Sequence, residues 1–398
     1  MQGWTSGNRL RLLENGEEFF PRVLRAIGEA EQEILLETFI WSEDGIGREL
    51  LQALVDAAAR GVRVRATVDG YGSPGFSEEF LSKLAGADIS IDSFDPRPRI
   101  FRIRTNPLCR LHRKTVIIDR RIAFVGGINF GDVHLRSFGE QSKQDYAVEA
   151  EGPVVRQVYD CCRFTPDAPA RIKRRRWRYW LRRFPREMSH PTENAQAIFA
   201  VRDNDGHPTD IETMYRIGIR HAKRRIILAS AYFFPGYRFI RELRRAARRG
   251  AEVCLIMQGK PDRPVAVTAG SIVYEDLMAA GVKIYLYMER PLHAKVAVID
   301  DQWATVGSSN LDPISLGLNL EGNLFILDRD LNESLRNSLE RLIEHSCEQL
   351  SSGGAQTRVW WRRLILTAAY HFTRRMSSWG RKVRYSQQAV RPMRAAEE

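Results

Sequence analysis

Apolar residues along this chain follow two rhythms that alternate. Runs such as ILLETFI (34–40) and TVIID (115–119) are dense in aliphatic and β-branched residues and predict strands. Between them, GRELLQALVDAAARG (47–61) places apolar residues three and four positions apart and ends on glycine, which predicts an amphipathic helix with a glycine stop. Strand-type runs alternating with such helices argue for an α/β sandwich around a largely buried sheet.

The pattern then repeats. IGEAEQEILLETFIW (27–41) recurs as IRHAKRRIILASAYFF (219–234), and AARGVRVRATVDG (58–70) as AARRGAEVCLIMQG (246–259). AGADISIDSFDPRP (85–98) returns as AGVKIYLYMERP (280–291), and LHRKTVIIDRRIAFVGGIN (111–129) as LHAKVAVIDDQWATVGSSN (292–310). Every block occurs twice in the same order, so the chain reads as two duplicated domains. A stack of short repeats would have a far shorter period. The expected boundaries are 8–165 for the first domain, 166–195 for a linker and 196–350 for the second domain. A chain of 398 residues is long enough for two cores.

Two segments stand outside the repeat. RIKRRRWRYWLRRFPR (171–186) interleaves Trp177, Tyr179, Trp180, Leu181 and Phe184 with arginines; it serves either as a solvated linker or as an adhesive surface. Residues 355–385 carry Trp361, Ile365, Ala368, Phe372, Met376 and Trp379 at helical spacing, flanked by Trp360, Arg362, Arg363, Arg374 and Arg375. A basic, Trp-rich amphipathic helix predicts in-plane contact with an anionic membrane, with docking on the protein body as the alternative. The formal net charge of +12 predicts attraction to polyanions, without choosing between nucleic acid and anionic lipid. No segment reaches the roughly 18 uncharged apolar residues of a spanning helix, and the opening MQGWTSGNRLRLLENGEE lacks a signal-peptide core. The membrane contact expected is therefore peripheral. The five cysteines, Cys109, Cys161, Cys162, Cys254 and Cys347, are scattered without C-x-x-C spacing, which argues against a zinc site or disulfide framework and for a reducing compartment.

The candidate chemistry sits in the last repeated block. His112, Lys114 and Asp119 recur as His293, Lys295 and Asp300, followed by GGIN with Asn129 and GSSN with Asn310. His and Lys stand two apart, so on a strand both face one way; Asp, at an odd offset, is expected at the strand end in a supporting role. One His-x-Lys says little, but two copies with the same trailing Asn are specific. Two satisfied core histidines would leave the paired lysines and asparagines without a reason to be buried. These side chains suit transfer at a phosphodiester. One neutral imidazole attacks phosphorus, the second moves the proton of the leaving and entering alcohols, and the lysines and asparagine amides hold the phosphate oxygens. Two lysines neutralise the charge, so the expected site is metal-free and without cofactor.

The duplicated His-x-Lys-x4-Asp with its trailing Gly-Gly/Ser and Asn resembles the phospholipase D superfamily over roughly residues 8–350. LLENGEEFFPRVLRAIGEA, ILLETFIW, DGYGSP, FDPRP, KQDYAVEAEGP, SAYFFPGYRF and QWATVGSSNLDP resemble in particular the bacterial cardiolipin synthases of the B type, which lack N-terminal spanning helices. The resemblance implies two α/β/α sandwiches related by a pseudo-twofold and sharing one site. It implies transfer of a phosphatidyl group between two phosphatidylglycerols at the cytoplasmic face of the inner membrane, giving cardiolipin and glycerol. His112 would be the nucleophile and His293 the general acid/base, with Asp145 and Glu321 orienting the imidazoles. Glu37, acidic within an apolar strand, is a further candidate for substrate binding. The insert RIFRIRTNPLCR (99–110) is either a basic lip over the site or a plain loop. Competing readings are a phosphodiesterase acting on other phospholipids or on nucleic acid, and a degenerate membrane scaffold. The scaffold fits poorly, because neither motif has lost a residue.

Overall fold

A computed structural model of the chain describes residues 3–73, 75–94, 99–100, 103–104, 109–162, 195–204, 206–259, 273–350 and 390–393. The basic aromatic segment 171–186 and the amphipathic segment 355–385, with Trp360, Trp361, Arg362, Arg363, Arg374 and Arg375, lie outside the described residues, as do positions 101–102 and 105–108 of the 99–110 insert.

The first half runs β1 (Thr5–Glu14), α1 (Asn15–Gly28), β2 (Glu33–Thr38), α2 (Gly45–Ala59), β3 (Arg63–Asp69), α3 (Glu78–Gly86) and β4 (Ser90–Phe94). A two-strand ribbon, β5 (Arg99–Ile100) and β6 (Ile103–Arg104), precedes β7 (Thr115–Ile118), β8 (Ile122–Gly126), β9 (Tyr146–Glu151) and α4 (Val154–Cys162). The second half repeats the plan with β10 (Ala195–Arg202), α5 (Asp210–His221), β11 (Arg225–Ser230), α6 (Tyr237–Arg248) and β12 (Glu252–Gln258). It continues through β13 (Lys283–Tyr287), β14 (Lys295–Ile299), β15 (Trp303–Gly307), β16 (Glu321–Leu327) and α7 (Arg329–Ser346).

Among the described residues sixteen strands, counting the edge strands β17 (Cys347–Gln349) and β18 (Val390–Pro392), form one sheet, in the order β17-β13-β12-β11-β14-β15-β16-β10-β1-β9-β8-β7-β2-β3-β4-β18. The order reads the same from either end once β10 is matched to β1, so the pseudo-twofold passes between those two central strands. The edge strands β17 and β18 were not legible in the repeat; β18 lies antiparallel on β4, so the end of the chain returns to the first half.

Alternation along the strands explains the layers. Ile34, Leu36, Val116 and Ile118 pack under α1, α2 and α3, whereas Ile117 points to the opposite face. That inner face meets α4 and α7, whose apolar sides share one cluster with strands of both halves. Each half is thus a sheet with helices on both faces, and the inner helices join the halves. Local signals fix the helix starts: Asp44 caps α2 through the Gly47 N–H at 3.1 Å, and Asp328 caps α7 through the Leu331 N–H at 2.8 Å. No helix among the described residues is long and apolar enough to cross a membrane.

Candidate active site

The two histidines sit on short segments entering β7 and β14, and each is fastened to the opposite half. His112 N–H donates to the Leu320 carbonyl at 2.9 Å, and Leu320 N–H donates to the Arg110 carbonyl at 2.8 Å. In the second copy His293 N–H donates to the Gln144 carbonyl at 2.8 Å, and Gln144 N–H to the Pro291 carbonyl at 3.0 Å. A side chain from each histidine's own half completes the hold. Asp69 accepts the Leu111 N–H at 2.8 Å, and Gln258 accepts the Leu292 N–H at 2.5 Å. Asp69 and Gln258 end strands β3 and β12 and occupy equivalent places in the repeat.

Because Leu320 precedes Glu321 and Gln144 precedes Asp145, these bridges carry a carboxylate to each imidazole across the pseudo-twofold. His112 Nδ1 lies 3.0 Å from Glu321 Oε2, and His293 Nδ1 lies 2.5 Å from Asp145 Oδ2. Both carboxylates are fully buried. A ring N–H donating from Nδ1 leaves Nε2 unprotonated. The two carboxylates are accommodated differently. A Cβ on Gly127 would lie 2.4 Å from Asp145 Oδ1, so the glycine makes room for that carboxylate. At the equivalent place Ser308 instead donates its hydroxyl to Glu321 Oε2 at 2.5 Å, and Asn319 adds an amide bond to Oε1 at 3.4 Å.

Both lysines are buried beside the imidazoles. Lys114 Nζ donates to the His112 carbonyl at 2.7 Å and sits 5.2 Å from the centre of the Phe39 ring. Lys295 Nζ donates to the His293 carbonyl and lies 3.9 Å from Asp145 Oδ2. Burial lowers Lys114 to about 7 and Lys295 to about 8. Burial also lowers His112, although Glu321 pulls the other way; it lowers His293 well below its usual value, assisted by Lys295, Lys143, Lys114 and His112. Glu321 falls below the ordinary carboxylate value: burial alone would raise it, and His112, Lys114 and the Ser308 hydroxyl outweigh that. Asp145 is raised, because burial dominates there. Burial thus favours the neutral form of both imidazoles, while the surroundings favour ionisation of Glu321 and disfavour that of Asp145.

The remaining candidates divide. Asn129 reaches the site segment with its amide oxygen accepting the Ile40 N–H at 3.1 Å, while the buried Asn310 amide oxygen has no partner among the described residues. Asp119 and Asp300 do not join. Each lies at the far end of its strand, seven residues past its histidine, roughly 20 Å away at ordinary strand rise. Asp119 accepts the N–H groups of Glu31, Gln32 and Glu33 at 2.9, 2.7 and 2.9 Å. Asp300 does the same for Lys223, Arg224 and Arg225. Named with the candidate chemistry and expected in a supporting role at the strand end, the two aspartates fasten the loops entering β2 and β11 rather than joining the imidazoles. Glu37 is corrected. Its two oxygens take Arg113 Nε at 2.8 Å and an Arg113 terminal nitrogen at 3.2 Å, and both residues face the inner layer away from His112 and Lys114. The equivalent places in the second half hold Ala229 and Ala294, so the repeated chemistry runs without the pair.

Sequence reasoning missed His134, Asp69, Gln258, Ser308 and Asn319. Asp69 and Gln258 carried a usable signal, since both close the block AARG…DG/QG one residue before its final glycine. Nothing in the sequence distinguished His134 from any other histidine. Among the described residues no group of three or more His, Cys, Asp or Glu side chains is gathered as a metal site.

Residues 23–160 and 215–343 match the family described as cardiolipin synthase, phospholipase D-like domain. The chain is 47% identical over 371 residues to cardiolipin synthase B of Escherichia coli K12, covering 93% of this chain and 89% of that protein. It is 48% identical over 373 residues to cardiolipin synthase B of Salmonella typhi, covering 94% and 89%. Among solved structures, phosphatidylserine synthase from Haemophilus influenzae superposes with a TM-score of 0.67 at 12% identity, covering 96% of this chain and 97% of that one, a likeness of fold.

Proposed function

The chain belongs to the phospholipase D-like cardiolipin synthase family, and from that premise we propose that it moves a phosphatidyl group from one phosphatidylglycerol to another, giving cardiolipin and glycerol. The observation that carries the reading is the exchange of partners across the two halves: each imidazole leans on a buried carboxylate of the other half. Neither half holds a complete site alone.

In this reading His112 Nε2 attacks phosphorus, the bond to the headgroup glycerol oxygen breaks, and His293 gives that oxygen its proton. The phosphatidyl group now sits on His112, whose positive charge the ionised Glu321 offsets through Nδ1. His293 then takes the proton of a primary hydroxyl on the second phosphatidylglycerol. That oxygen attacks phosphorus and the phosphorus–nitrogen bond breaks, restoring His112. Lys114, Lys295, Asn129 and Asn310 hold the phosphate oxygens as charge builds. The incoming phosphate anion also supplies the counter-charge that His293 needs in order to be protonated, which burial opposes in the empty site.

Residues 8–165 and 196–350 are read as the two duplicated domains, 166–195 as their linker and 355–385 as a peripheral anchor on the cytoplasmic face of the inner membrane. Trp360, Trp361, Arg362, Arg363, Arg374 and Arg375 are its contacts with anionic lipid. The test is purified protein on phosphatidylglycerol vesicles, with cardiolipin and glycerol followed together. Equimolar formation of both, abolished by His112→Ala, is expected. Cleavage of DNA without cardiolipin would overturn the reading.

A further inference from the structure

A third imidazole lies in the site, and the duplicated chemistry does not account for it. His134 is 0% exposed, on the turn after Asn129. Its ring stands 5.7 Å from that of His293 at an interplanar angle of 72°, edge to face. Its Nε2 accepts the Asn129 N–H at 3.2 Å, which leaves the ring proton of the neutral form on Nδ1. Nδ1 is buried with no hydrogen-bond partner among the described residues. A buried donor of this kind is unfavourable by about 1–3 kcal/mol, so packing alone is a poor reason to keep it. The fold does not require it either: the equivalent place in the second half is Ser315, whose hydroxyl is taken by Asp312 at 3.1 Å. The histidine occurs on one side of the pseudo-twofold only, against His293.

We propose that His134 is a positioning residue for His293: its ring, in edge-to-face contact with the acid/base imidazole, fixes the plane of that imidazole. The two imidazoles of the repeat are thereby made unequal, one backed by Ser308 and Asn319 through Glu321, the other braced by a third ring. Rings in edge-to-face contact prefer one mutual orientation, and proton transfer to a leaving alkoxide depends steeply on the orientation of the donor. Burial, and then the neighbouring His293, hold His134 well below its usual value, so it braces as a neutral ring and adds no repulsion to Lys295 and Lys143.

The inference rests on the reading of His293 as acid/base, and two donors separate the two. Phosphatidylglycerol vesicles need an acid for the glycerol alkoxide; a phosphatidyl-p-nitrophenol donor releases a stable phenolate and does not need one. His134→Gln keeps an acceptor for the Asn129 N–H and removes the ring. It is expected to lower kcat on phosphatidylglycerol by roughly 10- to 100-fold while the p-nitrophenol burst stays within about threefold. His134→Phe keeps a ring edge, and the ratio of the two rates should stay within about threefold of the unsubstituted protein. Equal losses on both donors with the glutamine variant, or no loss on either, would overturn the proposal. So would a phenylalanine variant whose ratio falls tenfold, and that arm stands alone should the glutamine variant not fold. If the unsubstituted protein makes no cardiolipin, the fault lies with the proposed function instead.

Discussion

Replacing Asp119 removes a carboxylate whose contacts are all backbone, and the cost can be worked from them. Two of its three N–H donors, on Glu31 and Gln32, are exposed residues that water can reach, so each bond is worth about 0.5–1 kcal/mol. The third, on buried Glu33, would be orphaned at about 1.5–2 kcal/mol. Asp119 also has φ +52°, a conformation that asparagine tolerates and alanine resists by about 1 kcal/mol. Asp119→Ala should therefore destabilise the fold by about 4 kcal/mol. Asp119→Asn, whose Oδ1 can keep the Gln32 and Glu33 donors, should lose about 1 kcal/mol. Burial would raise this carboxyl, but the N–H groups of Glu31, Glu33 and Gln32 outweigh it and hold it low. A depressed folded-state value stabilises above the unfolded value, near pH 4, and that share is lost as pH falls through the folded one. The gap between wild type and the asparagine variant should thus narrow in acid. Urea denaturation gives the stabilities, and cardiolipin formation well below the transition gives kcat, expected within about threefold for both variants. A hundredfold loss of kcat at unchanged stability would refute the reasoning and place Asp119 in the chemistry.

Three further outcomes follow from the same contacts. Arg113→Ala or Glu37→Ala alone should cost about 3–5 kcal/mol by stranding a buried charge, whereas the double variant, which copies Ala294 and Ala229, should recover at least half; a double-mutant cycle in denaturant checks this, and strictly additive losses would contradict it. Lys114 at about 7 and Lys295 at about 8 must be charged to hold phosphate, so KM for phosphatidylglycerol should rise about tenfold between pH 7 and 9, with kcat changing less because bound phosphate restores the protons. Both values lie below the usual lysine value near 10.4, so the unfolded chain binds more protons across that window and stability should climb with pH while affinity falls; KM flat over pH 7–9 would count against it. Gly127→Ala should push the Asp145 carboxylate off His293 and lower kcat by about a hundredfold. An active Gly127→Ala enzyme would show that Asp145 is not needed where it sits.

Duplication, alternation and parity were legible in the sequence. The two-residue step from His to Lys put both on one face, and the odd step to Asp put it at the strand end. What Asp119 and Asp300 do there was not legible, because their partners are backbone N–H groups far away in sequence. Glu37 misled for a related reason: an acid in an apolar strand signals a buried partner, and the sequence cannot say whether that partner is substrate or Arg113. The crossing of carboxylates between halves was equally hidden. It depends on the bridges at Leu320 and Gln144, which are pure backbone and leave no side-chain signature. Read beside the fold, the second position of GGIN and GSSN becomes informative, since Gly127 and Ser308 answer to an aspartate and a glutamate of different reach.

The central claim is that two halves make one site in which His112 carries the phosphatidyl group and His293 moves the protons. The most direct measurement uses His293→Ala with the phosphatidyl-p-nitrophenol donor, whose phenolate leaves without an acid. One equivalent of p-nitrophenol should appear in a burst, and mass spectrometry of the quenched protein should find the phosphatidyl adduct on the peptide containing His112. No burst, or an adduct on any other residue, would contradict the account.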